Sequence, residues 1–250
     1  MAEKVGNETT SARRVAPSRV HGLETLRRIE LFRGLPDDVL EALGRQCSWR
    51  AYRSGQQIIA RESKDRHVYF VGQGLVRVGV YSAAGRDVAF RDVGAGKCFG
   101  EISAIDGLPR SANVEAIEDA TIASIPPQLF WALLEQHPCV MANVVRLLCA
   151  TIRSLSDRLF ELSTLGIQNR VHAEILRLAN EAGVHDGMAS IDPAPKHADI
   201  ASRISTNREQ VTKELSAMAR QGLVGKRARA LVVADVARLE RIVAEVRRST

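Results

Sequence analysis

Cysteine is sparse in this 250-residue chain and carries no pattern. Its four copies, Cys47, Cys98, Cys139 and Cys149, lie far apart with no C-x-x-C spacing. They read as reduced, mostly buried small apolar residues. No uninterrupted apolar run approaches the length that crosses a bilayer, and the N-terminus lacks the apolar segment of a signal peptide. A cytoplasmic chain with no membrane partner is therefore expected. A nucleophile–base pair, a metal-ligand cluster and a Walker loop are all missing too, so neither an enzyme nor a metal site is expected. The length allows one or two domains, each with its own core. Net charge is +6. From Gly166 onward 14 Lys/Arg face 10 Asp/Glu, a +4 surplus in a third of the chain. That tilt favours a polyanionic partner.

The stretch that organises the chain is 99–112, FGEISAIDGLPRSA. Gly100-Glu101 opens a short helical turn over Glu101–Ile105, and Asp106-Gly107 turns the chain toward Arg110-Ser111. Gly100 lets backbone approach a ligand closely. The turn that follows points free N–H groups at an anion. Arg110 offers a planar fork that suits a phosphate, whereas ionised Glu101 only accepts and suits a ribose hydroxyl. Those chemistries together fit a sugar phosphate.

Around this stretch the pattern changes three times. Residues 1–20 are polar, carry Lys4, Arg13, Arg14 and Arg19, and read as a disordered arm. Leu23–Leu31 and Pro36–Cys47 have helical spacing. From Trp49 the period is two, with short strands expected at 57–60, 67–71, 74–81, 87–93 and 111–126. Such strands build a small antiparallel β-roll spanning 21–137 with its flanking helices. Pro127–Glu135 is a short helix, and a long one runs from Pro138 to Leu165. On it Met141, Val145, Leu148, Ile152, Leu155, Leu159 and Leu162 alternate by four and three, the seam of a helix paired with a second copy. At about 1.5 Å per residue the helix is roughly 40 Å long, more than one small roll can cover. Gly166 interrupts the helical pattern and reads as a hinge, at a cost of about 1 kcal/mol within a helix.

Residues 166–250 form the last unit. Within it 196–219, KHADIASRISTNREQVTKELSAMA, reads as helix, tight turn, helix, with Ile200, Ala201, Ile204, Val211, Leu215 and Met218 inward. Thr206-Asn207-Arg208-Glu209 has the form of a capping box. Arg208, Glu209, Thr212 and Lys213 then lie on the outward face of the second helix at its N-terminal end, the end a recognition helix presents to base edges. Glu209 has two readings, base contact and third member of the box, and the sequence does not choose. Lys226-Arg227-Ala228-Arg229 makes the basic tip of a two-stranded wing suited to phosphates, and Lys196 and Thr206 join the expected DNA contacts. A final helix spans Val236–Val246.

FGEISAIDGLPRSA closely resembles the phosphate-binding cassette of cyclic nucleotide-binding domains. With the C-terminal third, the chain from about residue 22 resembles the Crp/Fnr (catabolite activator) family of bacterial transcription regulators. The resemblance implies an α+β protein: cyclic nucleotide-binding β-roll, dimerisation helix, and C-terminal winged helix-turn-helix domain. It implies a homodimer on palindromic double-stranded DNA, with RNA polymerase as a further partner, and cAMP (or cGMP) as allosteric ligand. Gly100, Glu101, Ile102, Ser103, Arg110, Ser111 and Ala112 would form the ligand cassette. In the recognition helix Arg208, Glu209 and Lys213 stand at the family's base-reading positions. The chain departs from the family in three places. Ser205 fills a turn position that is usually Gly. Lys213 stands where some members carry Arg. The family's adenine-contacting Thr-Ser pair falls on Leu155-Ser156, leaving Ser156, with Arg153 nearby, to meet the base. Rival effectors within the family are a cyclic dinucleotide, or haem on a ligand such as His67; an iron–sulfur centre lacks its N-terminal cysteines.

Overall fold

The structure is a computed structural model that describes residues 13–14, 19–81 and 87–248. The chain divides into two compact units, 1–81 with 90–149, and 82–89 with 150–250. That division falls inside the long helix.

Period-two alternation builds the first unit. Its strands are β1 (Arg13–Arg14), β2 (Ser48–Tyr52), β3 (Gln57–Ile59), β4 (Val68–Gln73), β5 (Leu75–Tyr81), β6 (Asp87–Gly94), β7 (Cys98–Phe99), β8 (Asn113–Ala116) and β9 (Ala120–Ile125). They form two sheets, ordered β1-β2-β9-β4-β7 and β3-β8-β5-β6. Alternate residues of β9 serve different cores. Ala120 and Ile122 join Tyr52, Val71, Val76, Phe99 and Val114 between the sheets. Ala123 and Ile125 face the other way with Trp49, Val68 and Phe70, into a core closed by helices. Those helices are α1 (Arg19–Arg27), α2 (Asp37–Gln46), α4 (Pro127–Gln136) and the start of α5 (Pro138–Thr164); between β7 and β8 lies the short α3 (Glu101–Asp106). Phe130 is fully buried in this core; a side chain of that class contributes about 1.5–3 kcal/mol by leaving water.

Several sequence expectations shift. The helix expected over Leu23–Leu31 runs Arg19–Arg27 and is followed by a 3-10 turn at Glu30–Phe32. The single strand expected over 111–126 is two, β8 and β9, because the chain turns at 117–119. The expected unstructured arm is shorter than twenty residues: Arg13 and Arg14 pair with Ala51 and Arg50 as an edge strand, and Arg19 opens α1. The rest of that arm, 1–12 and 15–18, lies outside the described residues.

Helix α5 buries Val140 and Val144 in the first core, with Leu148 partly packed against it. Leu148, one of the expected seam residues, thus packs in its own domain. The other seam residues, Met141, Val145, Ile152, Leu155, Leu159 and Leu162, are exposed, Ile152 at 62% and Leu159 at 67%. By length and composition alone α5 qualifies to cross a membrane, with a mean hydropathy of 1.3 over one 18-residue window, against the expectation of no such segment. Arg153, Asp157, Arg158 and Glu161 crowd its second half, and of its exposed large apolar residues only Phe160 lies off the heptad stripe.

The second unit contains α6 (Ile167–Ala182), β10 (Val184–His185), β11 (Met188–Ile191), α7 (His197–Arg203), α8 (Arg208–Arg220), β12 (Val224–Arg227), β13 (Ala230–Val233) and α9 (Val236–Arg248). Ile175, Ile200, Val211, Met218, Leu223, Val233 and Leu239 fill its core. The wing hairpin β12–β13 extends into a sheet ordered β10-β11-β13-β12; the added hairpin β10–β11 was not expected. Between α5 and α6, Gly166 adopts extended backbone (φ −64, ψ 162), and a Cβ there would meet nothing within 4 Å.

Candidate functional site

The cassette is built around a left-handed glycine. Gly100 has φ +82, and a Cβ on it would lie 2.7 Å from Arg110 Nη1 and 3.0 Å from the His67 carbonyl oxygen. Only glycine allows the guanidinium to reach this backbone. Arg110 is 3% exposed. Its Nη1 donates to the Gly100 carbonyl at 2.7 Å, and Nη2 donates to the His67 carbonyl at 2.6 Å and to Asp65 Oδ2 at 2.7 Å. The guanidinium also lies 5.7 Å above the Tyr69 ring, which stacks on Phe99.

Asp65 is the residue that sequence reasoning missed. It sits 45 positions before Arg110, on a loop pinned by Glu62 N to Arg110 O (2.8 Å) and Arg110 N to Ser63 O (3.1 Å). Burial pushes its carboxyl up, but hydrogen bonds from Arg110, His67 and Tyr69 outweigh this and hold it at about 2. His67, the candidate haem ligand, has Nδ1 2.7 Å from Asp65 Oδ1, so that nitrogen is already engaged.

Glu101 is 1% exposed. Its Oε1 accepts from Arg91 Nη2 at 3.0 Å, a second partner not foreseen, while Oε2 is buried with no partner. Arg110 Nε is likewise buried and unpartnered. One orphan is an acceptor and the other a donor, each costly to leave unmet. They match a sugar hydroxyl and a phosphate oxygen. Ser103 and Ala112 are buried beside them in sequence; Ile102 and Ser111 are exposed.

Ser156 and Arg153 belong to the second unit and are exposed on α5. The Ser156 hydroxyl donates back to the Ile152 carbonyl at 3.0 Å. Near the end of α5 an ion network absent from the sequence reading joins four helices. Glu174 is fully buried and accepts from Arg177 and from Arg203 (2.9 Å). Glu161 accepts from Arg177 (3.1 Å) and Arg247 (2.6 Å).

In the helix-turn-helix, Ser205 takes φ +52, the strained value a turn glycine would relieve. The capping register differs from the expected one. Asn207, not Thr206, caps α8, its side chain accepting from Gln210 N at 2.9 Å. Asn207 sits on the extended residue just before the helix, so the third position of the box falls on Gln210. Glu209 therefore has no place in the box, and its side chain is exposed. Lys196, Arg208, Glu209, Thr212, Lys213, Lys226, Arg227 and Arg229 are exposed and Thr206 half-buried. Arg229 pairs with Asp192 at 2.8 Å. Thr212 Oγ1 donates to the Arg208 carbonyl at 2.9 Å and contacts His197 Nδ1 at 2.7 Å. Among the described residues no group of three or more His, Cys, Asp or Glu could hold a metal.

Two family models match this chain. The cyclic nucleotide-binding domain covers residues 49–137 and the Crp-like helix-turn-helix domain residues 169–242. A CRP-like cAMP-activated global transcriptional regulator of Mycobacterium tuberculosis is 24% identical over 219 residues, 87% of this chain and 98% of the relative. A cyclic AMP receptor protein of Thermus thermophilus is 28% identical over 212 residues, 85% of this chain and 95% of the relative. The structure of FixK2 from Bradyrhizobium japonicum shares the fold, with a TM-score of 0.68 at 22% identity over 78% of this chain and 96% of that one. With a nucleotide-binding roll ahead of a winged helix-turn-helix, this chain belongs to the Crp/Fnr family of DNA-binding transcription regulators.

Proposed function

We propose that this chain acts as a cytoplasmic homodimer whose affinity for palindromic DNA is set by a cyclic nucleotide. The observation that carries this reading is the pair of buried orphans, Glu101 Oε2 and Arg110 Nε. Arg110 takes the cyclic phosphate with the N–H groups of Gly100–Ser103 and Ala112, Ser111 adds a hydrogen bond, and Glu101 takes the ribose. The similar proteins named for cyclic AMP favour cAMP over cGMP as the ligand. Ser156, with Arg153, is assigned to the base.

The exposed stripe of α5 pairs two copies, Gly166 serves as the hinge between 138–165 and 166–250, and each reader enters a major groove. Arg208 and Glu209 read bases at about 1–3 kcal/mol of discrimination each. Lys213 stands at the third base-reading position, Lys196, Lys226, Arg227 and Arg229 meet the backbone, and RNA polymerase is the downstream partner. Two half-sites roughly 34 Å apart require both readers in register. Moving such an equilibrium from off to on takes about 5.5 kcal/mol of differential affinity, to which two nucleotide clamps contribute. The test is a titration of the purified protein with cAMP and with cGMP, with and without a labelled palindromic duplex. Tighter DNA binding with one nucleotide supports the reading; binding that neither nucleotide alters overturns it.

A further inference from the structure

The surface that carries Arg208 and Lys213 contains a titratable group that the DNA reading leaves unassigned. His197 opens α7, and its Nδ1 lies 2.7 Å from Thr212 Oγ1 on α8. That hydroxyl has one hydrogen, which it gives to the Arg208 carbonyl at 2.9 Å. With the hydroxyl hydrogen so placed, Thr212 accepts from His197 and the proton of the neutral ring sits on Nδ1. Nε2 is the basic position, and it has no hydrogen-bond partner among the described residues. Thr212, with its hydrogen spent, cannot also donate to a phosphate oxygen. A ring protonated at Nε2 supplies a donor for a phosphate oxygen at this point of the surface.

Two cations act on the ring, with Lys196 just before it in the chain and Asp199 in the same first turn of α7. Partial burial lowers its pKa below the usual histidine value, and Lys226 of the wing and Arg208 of α8 add to the effect. From α6, Arg170 and Glu174 face α7 but are engaged by the Ile204 carbonyl and Arg203. In the free protein the ring is therefore neutral at physiological pH. A DNA phosphate brought to this cluster reverses the field, since an adjacent anion favours the imidazolium.

We propose that His197 is a proton-linked phosphate contact: it ties α7 to the first turn of α8 through Thr212, and DNA binding protonates it at Nε2. This rests on the DNA-binding reading of the second unit and adds a residue and a proton to it. Because the complex holds more protons than the free components, affinity rises as pH falls. One unit of pKa change gives roughly tenfold in affinity for each subunit.

The test measures Kd for a labelled palindromic duplex at fixed ionic strength from pH 8.0 to pH 6.0, with saturating cAMP, for the parent and for His197→Asn. Asparagine can still donate to Thr212 but does not titrate. The parent should tighten at least tenfold across this range, and H197N should keep the pH 8.0 affinity and lose most of the slope. The same slope in H197N overturns the proposal, as does a parent that binds sequence-specifically with no slope at all. If the parent prefers no sequence at any pH, the DNA reading itself has failed, which the pH 8.0 arm shows separately.

Discussion

Glu174→Gln isolates the ion network at the end of α5. The substitution keeps the shape of the side chain and removes its charge. Glu174 is fully buried and accepts from two guanidiniums, Arg177 and Arg203, whose side chains are only 23% and 11% exposed. Arg177 retains Glu161 as a second partner, and Arg203 contacts the same carboxylate through Nη1 at 2.9 Å. Breaking a buried pair from one side costs about 3–5 kcal/mol, because the remaining charge stays desolvated. With Arg177 still compensated, the lower end applies, about 3 kcal/mol. Both tryptophans, Trp49 and Trp131, lie in the first unit, so fluorescence is blind to the change. Amide exchange read on peptides from 167–248 is the appropriate assay, and protection there should fall by roughly a hundredfold, the equivalent of that loss. Adding Arg203→Met should recover part of it, with a coupling of at least about 1 kcal/mol. Protection unchanged to within about 0.5 kcal/mol in E174Q would refute the claim that this carboxylate holds the α6–α7 packing together.

Two further outcomes follow from single residues. Ser205→Gly relieves a left-handed backbone at φ +52 and should stabilise the second unit by about 1 kcal/mol, read by the same exchange experiment; a loss of protection would contradict it. Asp65, held at about 2 against an ordinary value near 3.8, contributes stability that is complete above pH 4 and lost as pH falls through 2. Allowing for its one-third exposure this amounts to about 1–2 kcal/mol, so the thermal midpoint should fall less between pH 5 and pH 2 in Asp65→Asn than in the parent.

The parts of the fold legible in sequence were those with a local cause. Gly100, Gly107 and Arg110 stand at fixed spacing because the short turn between β7 and β8 needs left-handed residues at both ends, and such needs leave a pattern. The heptad stripe of α5 was legible because its spacing repeats within one continuous helix. What the sequence concealed depends on distance along the chain. Asp65 and Arg91 meet the cassette from other strands and loops, and Glu161 reaches Arg247 across 86 residues. Neighbouring alternatives also hid the capping register: Thr206 and Asn207 are both good caps, and the Glu209 that completes a box for one is displaced by Gln210 for the other.

The central claim is that Arg110 and Glu101 grip one cyclic nucleotide between them. Isothermal titration of cAMP into the parent and into Arg110→Ala, each checked for a folded dimer, tests it most directly. One nucleotide should bind per subunit in the parent, with no measurable heat in R110A. Equal affinity in the two proteins would contradict it.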